Sequence, residues 1–144
     1  MAKEEILAME AGKELNTFVE EKLFNHRCEV RWCNWLPQGY FEVQSYGQGR
    51  EAMGGGLLDE NESLPCYMEG EKWVVVPFYS TDISAAWEVV EKMVKEYGDF
   101  VIDYDDSYNG GQWSASVDKL RVAALAKTAP EAICKAALLA KLMR

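Results

Sequence analysis

The sequence predicts an α/β fold of the α+β kind. The expected architecture is a single domain over residues 1–144, a small, mostly antiparallel or mixed sheet of about four or five strands covered by three helices. Three observations lead there. Two long segments repeat apolar residues at helical spacing, several short runs alternate apolar with polar residues, and a segment near the end is apolar nearly all round.

Residues 3–24 carry Leu7, Ala11, Leu15, Val19 and Leu23 every four residues, with Phe18 beside them. That spacing predicts a helix. Glu4, Glu5, Glu10 and Glu14 fall in its first half, where the macrodipole favours negative charge. Asn25 is its expected stop. Residues 26–36, rich in Trp, Cys and Arg, are expected to be irregular. Pro37-Gln38-Gly39 marks a turn, and the alternation from Tyr40 to Tyr46 predicts a strand.

Residues 47–71 are expected to be a long Gly-rich loop. They hold Gly47, Gly49, Gly54-Gly55-Gly56 and the acidic run Asp59-Glu60-Asn61-Glu62. Lys72 to Val76 predicts a short strand. Ser80-Thr81-Asp82 opens the second helix, 82–97, with a stripe of Ile83, Trp87, Val90, Val94 and Tyr97, and Gly98 as its stop. Strands at 100–104 and 112–117 form a hairpin with an extended loop. Residues 119–126 suit strand or helix and lean to strand. Thr128-Ala129-Pro130-Glu131 is a capping box for the last helix, 130–143. Leu15, Val19, Trp87, Val90, Ile102, Ile133 and Ala137 are expected to be buried.

The last helix has more apolar surface than one small sheet covers. It either lies at the centre of the fold or joins a homodimer contact. A chain of 144 residues suits one domain and needs no metal or disulfide to fold.

A net charge of -9 and the lack of any Lys/Arg cluster argue against direct nucleic-acid binding. No signal peptide opens the sequence and no window offers 18 uninterrupted apolar residues, so a cytoplasmic, non-membrane protein is expected, with Cys28, Cys33, Cys66 and Cys134 as free thiols.

Three segments carry a family resemblance: Glu4 through Leu15, Tyr79 through Met93, and Thr128 through Leu139. Together they resemble the phage ABA sandwich domain family, small proteins of bacteriophages and prophages. The resemblance implies an α/β/α sandwich and a phage context, and it carries over no catalytic residue. Residues 34–71 depart from the family pattern as an expansion. Small accessory phage proteins often counter host defences, and that context is what the resemblance suggests.

The chemistry-bearing motifs are weak. His26, Cys28 and Cys33 lie close together but lack paired zinc knuckles, so no metal or cofactor is expected. Gly54-Gly55-Gly56 is followed by Leu57-Leu58 where a phosphate loop needs a Lys-Ser or Lys-Thr pair. Asp103-Tyr104-Asp105 begins like a calcium loop, but Tyr108 stands where glycine is required. A lone histidine frames no Ser-His-Asp triad. Tyr79-Ser80-Thr81-Asp82 reads as a helix cap supplied by Ser80 or Thr81.

The binding site is expected at Arg27, Arg31, Trp32 and Trp35 together with Arg50 in the Gly-rich loop. Aromatic and guanidinium groups suit stacking and anion binding, and equally a protein interface. The reading is a non-enzymatic phage or prophage accessory protein in the host cytoplasm. It would bind and inhibit or sequester a host defence protein or a small nucleotide signal. The alternative is an enzyme that modifies or hydrolyses a small nucleotide.

Overall fold

The structure is a computed structural model that describes residues 2–35, 41–43, 61–106 and 111–143. The element order is α1 (Lys3–Ala8), α2 (Lys13–Leu23), β1 (Cys28–Trp35), β2 (Phe41–Val43), β3 (Asn61–Glu69), β4 (Lys72–Val75), α3 (Ile83–Tyr97), β5 (Val101–Asp105), β6 (Gln112–Val117), β7 (Val122–Ala126) and α4 (Ala129–Leu142). The fold is α+β. The strands form two antiparallel sheets, of order β2-β1-β3-β4 and β5-β6-β7. The chain divides into two compact units, one of residues 1–25 and 77–144, the other of residues 26–76.

In the first unit α4 is the middle layer. It packs against β6 and β7 on one side and against α1, α2 and α3 on the other. Every residue from Ala132 to Ala140 is consequently buried, including Cys134, whose thiol pKa is pushed up by desolvation. The all-round apolar character of this helix is thus explained by a central position inside one chain. Thr128 caps its start as expected, with Oγ1 accepting from the Glu131 amide at 3.4 Å and Pro130 in the first turn, which is the Thr128 half of the expected capping box. Glu131 turns its carboxylate to Lys135 Nζ at 3.3 Å. Lys135 also donates to the Leu7 carbonyl at 3.0 Å, which ties α1 to α4.

The three-stranded sheet buries Ala115, Val117, Val122, Ala124 and Ala126 on its α4 face. Ile102 shares that face but is only half-buried, because β5 is an edge strand beyond the reach of α4. The opposite face carries Asp103, Asp105, Ser114 and Ser116. Among the described residues of this unit, the helices lie on one face of the sheet.

The helix expected over 3–24 breaks at Met9–Gly12. Gly12 has φ +148°, a conformation that residues with a side chain rarely adopt, and it caps α2. The break shifts the helix phase, so Ile6 is buried and Leu7 is exposed. Asn25, with φ +60°, ends the segment as expected.

A polar knot holds α2 to the chain that precedes α3. The Ser80 amide donates to Asn16 Oδ1 at 2.8 Å, and the Ser80 hydroxyl approaches the same oxygen at 2.6 Å. Ser80 Oγ accepts from the Gly12 amide at 2.8 Å. Beside it, Tyr79 donates its hydroxyl to Glu20 Oε1 at 2.8 Å, and its ring stacks on Phe24. Asn16, Glu20, Tyr79 and Ser80 are all buried. Ser80 is therefore no helix cap. That role falls to Asp82, which accepts from the Ser84 amide at 3.0 Å.

In the second unit, two stretches expected to be irregular or loop are strands. Residues 28–35 form β1 and residues 61–69 form β3, paired from Cys28↔Tyr67 to Asn34↔Asn61. Their polar composition hid them, because alternation of apolar with polar residues is weak in both. The rest of the expected Gly-rich loop, 47–60, lies outside the described residues. The sheet curls, since β2 and β4 approach each other although they lie at opposite edges of the strand order. Cys33 pairs with Glu62 and Cys66 with Glu29, four rungs apart, or about 13 Å along straight strands. Yet their sulfurs are 3.8 Å apart inside the curl, packed with Leu64, Trp73 and Val75. The hydrogen bond to Cys33 and burial push the Cys66 thiol pKa far up.

The knot sets a stability expectation. Asn16→Ala leaves the buried Ser80 amide without its acceptor, so it should destabilise the protein by about 1–3 kcal/mol. Ser116→Ala, on the outer sheet face, should change stability by less than about 0.5 kcal/mol. Urea unfolding of the two variants checks the contrast.

Candidate functional site

The residues expected to bind divide between the faces of β1. Arg31 lies on the face of Cys33, Leu64 and Cys66. Its guanidinium pairs with Glu29 and sits 4.2 Å from the centroid of the Trp73 ring. Trp32 takes the opposite face and is 5% exposed, and its indole nitrogen is buried without a hydrogen-bond partner among the described residues. Strand alternation thus separates the Arg31 and Trp32 side chains. Arg27 is exposed just before β1. Trp35 ends β1, where only the backbone is described, and Arg50 lies outside the described residues. His26 stacks on Tyr67 at 4.3 Å between centroids, a ring contact that the sequence reading did not anticipate.

A different surface stands out on α3. The helix buries Ala86, Val89, Val90 and Met93. Of its expected core stripe, Val90 is buried and Tyr97 half-buried, but the other three residues face outward, with Ile83 and Trp87 each 51% exposed and Val94 42% exposed. The expectation that Trp87 is buried is therefore wrong. The helix has apolar residues over more than half a turn, and two phases compete for the core. The alanine-containing phase wins because α4 lies close and small residues permit that approach. The sequence signal was present in Ala86, Val89 and Met93, but bulk favoured the tryptophan phase.

Trp87 thus sits between Ile83 and Val94 on one exposed apolar stripe, edged by the exposed carboxylates of Glu88 and Glu91. Large exposed apolar residues set side by side are the usual mark of an interaction surface. Tryptophan at such a place gives a rigid anchor with a large contact area. Among the described residues, no group of three or more His, Cys, Asp or Glu side chains is arranged to hold a metal ion. No described helix is long and apolar enough to cross a membrane.

Residues 52–138 match the phage ABA sandwich domain. The chain belongs to the phage ABA sandwich domain family. The matched range holds the Tyr79–Met93 segment and the Thr128–Leu139 segment up to Leu138, and leaves Glu4–Leu15 outside. It also takes in residues 52–71, so the second half of the stretch read as an expansion belongs to the family domain. A phage protein from Bacillus cereus ATCC 14579, with a 2.0 Å crystal structure, is similar at 25% identity and a TM-score of 0.52. The similarity covers 94% of this chain and 89% of that one. No curated protein matches. For this phage ABA sandwich domain, then, the comparisons supply fold and context, and the chemistry must come from its own surface.

The helix phase is directly testable. Met93→Ala, fully inside the core, should cost about 2–5 kcal/mol, whereas Trp87→Ala should cost less than about 1 kcal/mol. Thermal and urea unfolding of both variants decides which face of α3 is the core face.

Proposed function

We propose that this phage ABA sandwich domain is a phage- or prophage-encoded accessory protein that acts by binding, without catalysis. We infer that its target is a host defence protein with a basic surface, met in the host cytoplasm. The observation that carries this reading is the exposed Ile83–Trp87–Val94 stripe on α3. Leaving those side chains in water has no benefit for folding, and covering them with a partner does. The net charge of -9 adds selection by charge, because complementary potentials speed encounter and reject acidic partners. A second copy of the chain can also cover the stripe, and sedimentation of the purified protein separates that homodimer from a heterologous complex.

The nucleotide-signal reading rests on Arg27, Arg31, Trp32, Trp35 and Arg50. It draws less support, because Arg31 already has Glu29 and Trp73 as partners and Trp32 takes the other face of the strand. An enzyme acting on such a nucleotide is the third reading.

Trp87→Ala should weaken binding to the captured and identified host partner by about 2 kcal/mol, roughly thirtyfold in Kd. Raising salt should slow association with the wild-type protein. If Trp87→Ala binds normally while Trp32→Ala or Arg50→Ala does not, the α3 surface is the wrong one. A nucleotide recovered intact after heating the protein would favour sequestration of a signal, and a nucleotide recovered as product would favour the enzyme.

A further inference from the structure

Near the C-terminal ends of α2 and α4 lies a pocket of about 190 Å3. Its apolar wall is Ile6, Phe18, Leu138 and Leu142, and its polar lining is Lys22 and Lys141. A second pocket of about 110 Å3 shares Leu142 and adds Lys3 and Arg121. Among the described residues, four cations and no acid line the two pockets, in a chain with 24 acidic and 15 basic residues. Chance placement on so acidic a protein would put carboxylates there.

The two lysines of the larger pocket lie at helix ends. Lys22 lies in the last turn of α2 and Lys141 in the last turn of α4. Helix C-termini favour cations, so the fold tolerates both charges at this site without a carboxylate partner. Their ammonium groups make no ion pair among the described residues, whereas Lys92 and Lys135 pair with Glu96 and Glu131. An apolar wall with unpaired cations at its mouth is complementary to a molecule with an apolar body and an anionic head. The volume is below the roughly 300 Å3 at which sites for drug-sized ligands begin. It suits an alkyl chain or a single ring and excludes a whole nucleotide.

We propose that this pocket binds a small amphipathic carboxylate, with its chain or ring against Phe18 and Leu138 and its carboxylate between Lys22 and Lys141. The site lies apart from the α3 stripe residues and does not depend on the function proposed above. Decanoate is the probe, and decanol is its neutral counterpart. Titration of the full chain with decanoate should shift the methyl resonances of Ile6, Leu138 and Leu142 in NMR spectra. Decanol should bind at least tenfold more weakly. The double variant Lys22→Gln/Lys141→Gln, checked for native circular dichroism, should lose at least tenfold in decanoate affinity. Lys92→Gln, which removes a lysine that lines neither pocket, should bind as the wild type does. Unmoved methyl resonances at millimolar decanoate would overturn the proposal. So would equal binding of decanol, or undiminished binding by the folded double variant.

Discussion

The first unit depends on one small polar knot, in which Ser80 is bound to Asn16 and Gly12. The chain leaves this unit after Asn25 and returns at Pro77, with the whole second unit intervening in sequence. Bringing two segments together across such a gap carries a loop-closure cost, and the contact that closes the gap must be specific. Three residues after the return, Ser80 uses both its amide and its hydroxyl on α2. Tyr79 adds its ring on Phe24 and its hydroxyl on Glu20. Asn16, Glu20, Tyr79 and Ser80 are buried, so these bonds satisfy polar groups where an unsatisfied one would cost about 1–3 kcal/mol. Once the knot is tied, α2 and the start of α3 are both placed against α4.

How much of this is legible in the sequence follows from which interactions are local. The last helix could be read to within a residue, because Thr128, Pro130 and Glu131 act on their own neighbours. Its central position was one of two alternatives, and the structure selects it. The β5–β6 hairpin and the αL stop at Gly98 were likewise local. The break at Gly12 was not legible, because its unusual φ is needed for a contact with Ser80, 68 residues away. β1 and β3 were missed for a related reason. They carry charged residues and a proline, and their pairing alone makes them strands.

The same logic explains why the sequence reading set its candidate surface in residues 26–36 and left α3 out. The tryptophans and arginines of residues 26–36 suggest one shared irregular surface, but β1 puts Arg31 and Trp32 on opposite faces. Trp87 was assigned to the core for its size, yet the core took Ala86, Val89 and Met93. What is left outside is an apolar stripe on an acidic chain. That combination is the basis of the protein-partner proposal, in a family whose context is the phage.

The Ser80 knot closes the first unit, so its amides must open only when the unit unfolds. Native-state hydrogen exchange measures this residue by residue. The Ser80 and Gly12 amides should exchange as slowly as the α4 amides from Ala132 to Ala140. Exchange of both at the rate of the exposed Met143 terminus, while α4 stays protected, would contradict the account.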